Sequence, residues 1–173
     1  MASGISVQQD CVDCYSEQKK GHEYRIVTYM INPEKTGIVV CQKYPKQMET
    51  EECLKKTRSS QKAGCDTAEM RAQFEAYQKK EWESLVSDEA NFPPKDSRWI
   101  TADLSYVGKG NTYNDKVVLI AWCPDDASIG RKMIAASSID AFKKKLSISA
   151  AHIQANDYDD IKYENVIAFL EAH

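Results

Sequence analysis

Apolar positions recur at helical spacing in four stretches of the chain and at strand spacing in about five others. Val7 to Lys19 sets Val7, Cys11, Cys14, Tyr15 and Gln18 near one face of a helix that Gly21 ends. Tyr24 to Ile31 and Ile38 to Tyr44 are β-rich and alternate around the turn Asn32 to Gly37, which predicts a hairpin. Thr67 is placed to cap a second helix, Ala68 to about Val86, and the run Phe92 to Asp96, with its two prolines, breaks it. Trp99 to Val107 alternates as a strand, with a loop at Gly108 to Asn111 and at Asn114-Asp115. Val117 to Trp122 is then continuously apolar, as in a central strand buried on both faces. His152 to Ala155 predicts a short last strand. Asn156 to Asp160 opens a final helix carrying Ile161, Val166, Ile167 and Leu170.

The longest helical pattern, after Trp122-Cys123-Pro124, has about five turns. Asp125, Asp126 and Ser128 suit its start, and Lys143, Lys144 and Lys145 suit its end, because each complements the helix dipole. At roughly 100° per residue, Ile134, Ala135, Ser138, Ala141, Phe142 and Leu146 fall on a core-facing stripe. The opposite side carries Ile129, Lys132, Met133, Ala136, Asp140, Lys143 and Lys144. An exposed Ile and Met framed by charge suits partner binding, although scattered apolar residues are also ordinary on a surface.

Helices separated by strand pairs imply an α+β (α/β) arrangement, a central mixed sheet of about five strands flanked by helices on both faces. The region from about 46 to 66 is rich in Lys, Glu, Ser, Gln and Thr with only Cys53 and Leu54 as apolar points. It reads as an exposed insertion with a helical turn near Glu51 to Thr57. A chain of 173 residues is otherwise the length of one domain, spanning 1–173.

Composition narrows the classes. A net charge of −3 with both signs interspersed excludes a general nucleic-acid binder, which would be basic. No apolar run approaches the ~20 residues that span a bilayer. The opening residues Met1 to Ser6 lack a secretory signal's basic and apolar regions, so the cytoplasm is the expected compartment. Six cysteines form no regular framework, and in that compartment they are expected to be reduced. Cys11 and Cys14 make a CxxC, the basis of a thiol oxidoreductase or half of a metal site. No second CxxC exists, no strand precedes it, and on a helix the two thiols share a buried face. The three histidines accompany no nucleophile motif, so no enzyme, metal or cofactor is expected.

Met1-Ala-Ser-Gly-Ile-Ser-Val7, Trp122-Cys-Pro-Asp125, Lys132-Met-Ile-Ala-Ala-Ser-Ser138, Asp140-Ala-Phe-Lys-Lys-Lys-Leu146 and Gln154-Ala-Asn-Asp157 resemble the actin-depolymerising factor (ADF)/cofilin family. The order of elements also matches that family's fold, over nearly the whole chain except about 46–66. The resemblance implies the ADF-homology fold and a cytoplasmic, non-enzymatic, monomeric regulator of the actin cytoskeleton. Its long helix would enter the cleft between the outer subdomains of an actin monomer through Ile129, Arg131, Lys132, Met133 and Ala136. Ser3 and Gly4 match the family's N-terminal contact, Ser3 its phosphoregulatory position, and Asp157 a third monomer contact, a residue that also suits a helix N-cap.

Departures from the family pattern modify these expectations. The family carries Arg or Lys two residues before Lys132, where this chain has Gly130 with Arg131 beside it. The family's filament-binding surface uses basic residues before the central strand and charges on the last helix. Here Lys109 and Lys116 remain in the loop, and Ala168, Phe169 and Ala172 occupy the helix positions. The expectation is a protein that binds actin monomers in preference to filaments, sequestering monomers or promoting depolymerisation, with weak filament binding and severing. The alternative is a filament-side binder without depolymerising activity. The resemblance also implies phosphoinositides as a regulatory ligand, for which Lys143, Lys144 and Lys145 would supply the charge, although they stabilise the helix end without any ligand.

Overall fold

The computed structural model describes residues 4–173. Its element order is β1 (Ser6–Val7), α1 (Gln9–Gly21), β2 (Tyr24–Ile31), β3 (Gly37–Pro45), α2 (Met48–Lys62), α3 (Ala68–Ser87), β4 (Arg98–Val107), β5 (Tyr113–Trp122), α4 (Ile129–Lys145), β6 (Ile153–Ala155) and α5 (Tyr163–Ala172). The strands form one mixed sheet in the order β1-β3-β2-β4-β5-β6. The inner pairings are antiparallel, and the two edge strands pair parallel to β3 and β5.

Alternation along the central strands explains the layers. On β5, Val118, Ile120 and Trp122 face one way and join Trp82, Phe92, Ile161, Val166 and Leu170, the core under α3 and α5. Leu119 and Ala121 face the other way and join Cys11, Tyr15, Tyr29, Phe142 and Leu146, the core under α1 and α4. With period two, a continuous apolar run serves both faces at once. Phe142 anchors α4, stacked on Trp99 at 5.6 Å and edge-on to Tyr29 at 5.1 Å.

The structure corrects four expectations. Val7 lies in β1, an added sixth strand that pairs with Ile38, so α1 starts later than the apolar spacing predicts. The final helix starts at Tyr163, and residues 156–162 form turns in which Asp157 Oδ1 accepts from the Asp160 N–H at 3.1 Å; Asp157 therefore caps a turn instead of the helix. Ala141 of α4 is exposed, outside the buried stripe of Ser138, Phe142 and Leu146. The largest departure lies within 46–66. In place of an exposed insertion with one helical turn stands the fifteen-residue α2, packed along α3 with Thr50, Leu54 and Thr57 buried.

The physical reason is that α2 is held by polar anchors, which hydropathy cannot register. Arg25 is fully buried at a register irregularity of β2. It donates from Nε to Glu81 on α3, from Nη1 to Gln78 at 3.3 Å and to the Asp103 carbonyl at 2.8 Å, and from Nη2 to Glu51 on α2 at 2.8 Å. Leu54 adds an apolar contact with Phe74 and Tyr113. At its far end Arg58 donates to Asp115 at 2.9 Å, tying α2 to the β4–β5 hairpin.

Asp115 supplies a pH-dependent test of that tie. Burial acts to raise its carboxyl, but bonds from Ser105 and Arg58 and the Arg58 charge outweigh burial and hold it below its ordinary 3.8. A carboxyl depressed on folding stabilises the fold above its unfolded pKa, and that contribution is lost as pH falls through the lower folded value. Asp115→Asn is therefore expected to lower the urea midpoint at pH 6 and to approach the parent as pH falls through the lowered folded value of Asp115. A gap that persists undiminished at low pH would show that the charge is not what matters.

Candidate functional site

Strand pairing decides which candidate residues share a surface. Trp122 at the end of β5 pairs with Arg98 at the start of β4 and with Ala155 at the end of β6. Ile31 at the end of β2 pairs with Ile38, and Gly37 with Ser6 at the start of β1. One end of the sheet thus emits the N-terminus of α4, the Asp157 turn and the segment at Gly4. Gly4 has a φ of 72°, a left-handed conformation suited to glycine. Ser3 lies outside the described residues. β1 also runs beside α4.

At that end, Pro124 and Asp125-Asp126 close β5 into a turn. The Ser128 side chain accepts from the Arg131 N–H at 3.2 Å, which fixes the first turn of α4. Phe142 and Leu146 then fix the helix rotation, leaving Ile129 78% and Met133 67% exposed. Among the described residues these are two of four exposed large apolar side chains, the others being Met48 and Tyr158. The i, i+4 spacing puts Ile129 and Met133 one above the other, with Ala136 exposed in the next turn. The geometry offers an apolar ridge with cations at its edge, suited to a hydrophobic groove on a partner.

The two cations differ in freedom. Lys132 is half-buried, and its Nζ donates to the Asp125 carbonyl at 2.6 Å. Arg131 lies with Nε 3.3 Å from Asp96, a carboxylate that also accepts from Arg98 at 2.8 Å. Arg131 is turned toward the sheet by Asp96. The sequence carries no signal for that contact, since 35 positions separate the residues and only the β4–β5 register joins them. Tyr158 is a second unheralded feature. Its ring lies 5.1 Å from Trp122 and its hydroxyl donates to the Phe92 carbonyl at 2.8 Å, which secures the Asp157 turn.

The remaining candidates lie elsewhere. Lys109 is exposed at the tip of the β4–β5 hairpin, at the opposite end of the sheet. Arg71 grips that tip through Asn111, at 2.8 Å to the side chain and 3.1 Å to the carbonyl. Lys116 lies not in the loop, as its sequence context predicts, but half-buried on β5, because strand pairing extends back to Tyr113, and it lines a cleft of about 290 Å³ with Lys19 and Phe169. Lys144 and Lys145 are exposed at the end of α4, while Lys143 Nζ lies 3.2 Å from His152. Burial and the neighbouring Lys143 charge push the His152 imidazole below its usual value. Cys11 is fully buried in α1, where its thiol is pushed up to about 12, first by burial and then by Asp10. Burial also raises Cys14. That is the reverse of what a redox CxxC needs, since a thiolate is the attacking species.

Comparison with known proteins gives a consistent result. The family model for cofilin/tropomyosin-type actin-binding proteins matches residues 66–171. Cofilin of Gibberella zeae is 28% identical over 166 residues, covering 95% of this chain and 92% of that protein. Cofilin of Cryptococcus neoformans is 29% identical, covering 93% and 91%. Among solved structures, Streptomyces griseoflavus cofilin superposes with a TM-score of 0.65 at 22% identity, covering 95% of this chain and 96% of that one. The ADF-like UNC-60A protein of Caenorhabditis elegans gives 0.65 at 22%, covering 99% and 97%.

Proposed function

From the premise that this chain belongs to the cofilin/ADF family of actin-binding proteins, we propose that it binds actin monomers chiefly through the exposed face of α4. The observation that carries this reading is the Ile129–Met133 ridge beside Lys132, held at the sheet end that also emits Gly4 and Asp157. Preferential binding to one subunit state shifts the filament equilibrium without chemistry, so the protein sequesters monomers or promotes subunit loss in the cytoplasm. It acts as one ADF-homology domain and as a monomer.

Filament binding and severing are proposed to be weak. At the loop end of the hairpin Lys109 and Lys116 are its own basic residues, the arginines that reach it, Arg58 and Arg71, being paired with Asp115 and Asp66, and the last helix presents Ala168 and Ala172. The test is a titration of labelled ADP- and ATP-actin monomers beside filament co-sedimentation. Micromolar or tighter monomer binding with little pelleting is expected. Stoichiometric saturation of filaments without disassembly would favour the filament-side alternative. Phosphorylation of Ser3, which adds about −1.5 to −2 charge, is proposed to weaken the contact, and Lys144 and Lys145 with Lys143 to meet phosphoinositides. Repeating the titration with phosphorylated protein and with phosphoinositide vesicles checks both, and unchanged affinity would reject them.

Gly130 gives a gain-of-function test. A Cβ built there meets nothing within 4 Å, so a side chain fits. Gly130→Lys is expected to stabilise the first turn by up to about 1 kcal/mol and to tighten monomer binding several-fold, with a steeper salt dependence. Unchanged affinity at low salt would show that Arg131 already supplies this charge despite its contact with Asp96.

A further inference from the structure

We infer that the groove between α3 and α5 docks a basic, amphipathic segment of a partner protein. Two cavities of about 580 and 400 Å³ lie end to end along α3, with Lys79, Tyr163 and Glu164 as their common wall. Val86, above the buried Trp82 and Ile161, gives the first an apolar wall, and Tyr106, Val107 and Ile167 line the second. The rim is acidic, with Glu83 and Glu89 at one end and Glu75 and Glu171 at the other.

The lysines of the groove neutralise only part of that rim. Lys79 Nζ is 2.5 Å from Glu164 and 3.9 Å from Glu83, and Lys162 Nζ is 2.7 Å from Asp159. Glu89 and Glu171 have no cation partner among the described ion pairs. An apolar floor selects an apolar anchor, and unpaired carboxylates on both sides select cations flanking it. From Glu75 to the end of α3 at Ser87 the helix axis runs about 18 Å, a little over three turns, and Glu89 lies in the turn just beyond it. The groove lies over the α3/α5 core, on the face of the sheet opposite α4, so its occupation leaves the proposed monomer contact free, although Ala168 of the proposed weak filament surface lies in its wall.

The test uses a fluorescein-labelled peptide of about 15 residues, with Leu at helical i, i+4 and i+7 positions and Lys around them, and a second peptide with Glu in place of Lys. Anisotropy should report saturable binding of the Lys peptide only, weakening as salt rises. Amide shifts should be confined to α3 and the turn at Glu89, residues 158–162, α5, and Tyr106, Val107 and Tyr113 of the β4–β5 hairpin. The variant Glu83→Lys/Glu89→Lys/Glu171→Lys, altered only at exposed positions, should bind the peptide at least tenfold more weakly and keep its affinity for labelled actin monomers. Equal peptide binding by parent and variant, equal binding of the Glu peptide, or shifts located elsewhere would overturn the proposal. Concentration-dependent self-association in sedimentation, lost in the variant, would also overturn it by assigning the groove to a second copy of the chain.

Discussion

Replacing Lys132 and Met133 together by alanine is expected to weaken actin-monomer binding by at least ~30-fold while leaving the thermal midpoint nearly unchanged. The reason is a division of labour on α4. Phe142 and Leu146 are buried and hold the helix, whereas Met133 stands 67% exposed and contributes little to the core. Lys132 lies alongside, half-buried along its stem, with its Nζ donating an exchangeable hydrogen bond to the Asp125 carbonyl at 2.6 Å. Desolvated on a partner, an apolar side chain and an adjacent cation make the kind of central anchor that dominates an interface. Alanine is a better helix former than either residue it replaces, so unfolding is not an alternative explanation of lost binding. Ile129→Ala and Ala136→Glu should each weaken binding as well, Ala136→Glu by placing a charge beside the ridge. Full retention of monomer affinity by the double variant would remove α4 as the principal contact.

The second large effect concerns stability. Arg25→Met is expected to cost about 3–5 kcal/mol, read as a fall in the urea midpoint, because it strands a buried carboxylate. Glu81 is 2% exposed, and its side chain is shared between Arg25 and the Gln47 N–H at 2.9 Å. Without the guanidinium, one charge remains in a poorly solvated site. Glu51, the other carboxylate on Arg25, is 37% exposed, and Glu51→Gln should cost no more than about 1 kcal/mol. The double variant Arg25→Met/Glu81→Gln should recover much of the loss, since desolvated charges are removed as a pair. A loss below 1 kcal/mol in Arg25→Met would mean that water reaches Glu81 and that α2 is not held by this cluster.

These two predictions differ in how visible they were beforehand. The α4 surface follows from helical period and caps alone, because one helix is a local object whose faces are set by spacing. Arg25 could not be singled out, since β2 reads as a plain alternating strand and its partners lie 26 and 56 positions away. The same limit explains α2. Its hydropathy is that of a solvated loop, and its docking depends on Arg25, Arg58 and one buried leucine. The Asp96–Arg131 contact and the acidic groove arise only when strand register and helix packing bring distant positions together.

By itself, then, the sequence determined the alternation of strands and helices, the double-sided burial of β5, the caps of α3 and α4, and the outward Ile129–Met133 face. Each is a matter of local period and chain chemistry. Only the tertiary structure decided that Gly4, α4 and the Asp157 turn leave the same end of the sheet, that Arg131 is engaged by Asp96, and that 48–62 folds onto α3. Those outcomes rest on long-range pairing and on buried ion pairs, whose energy depends on where partners and solvent end up and is written in no single stretch of the chain.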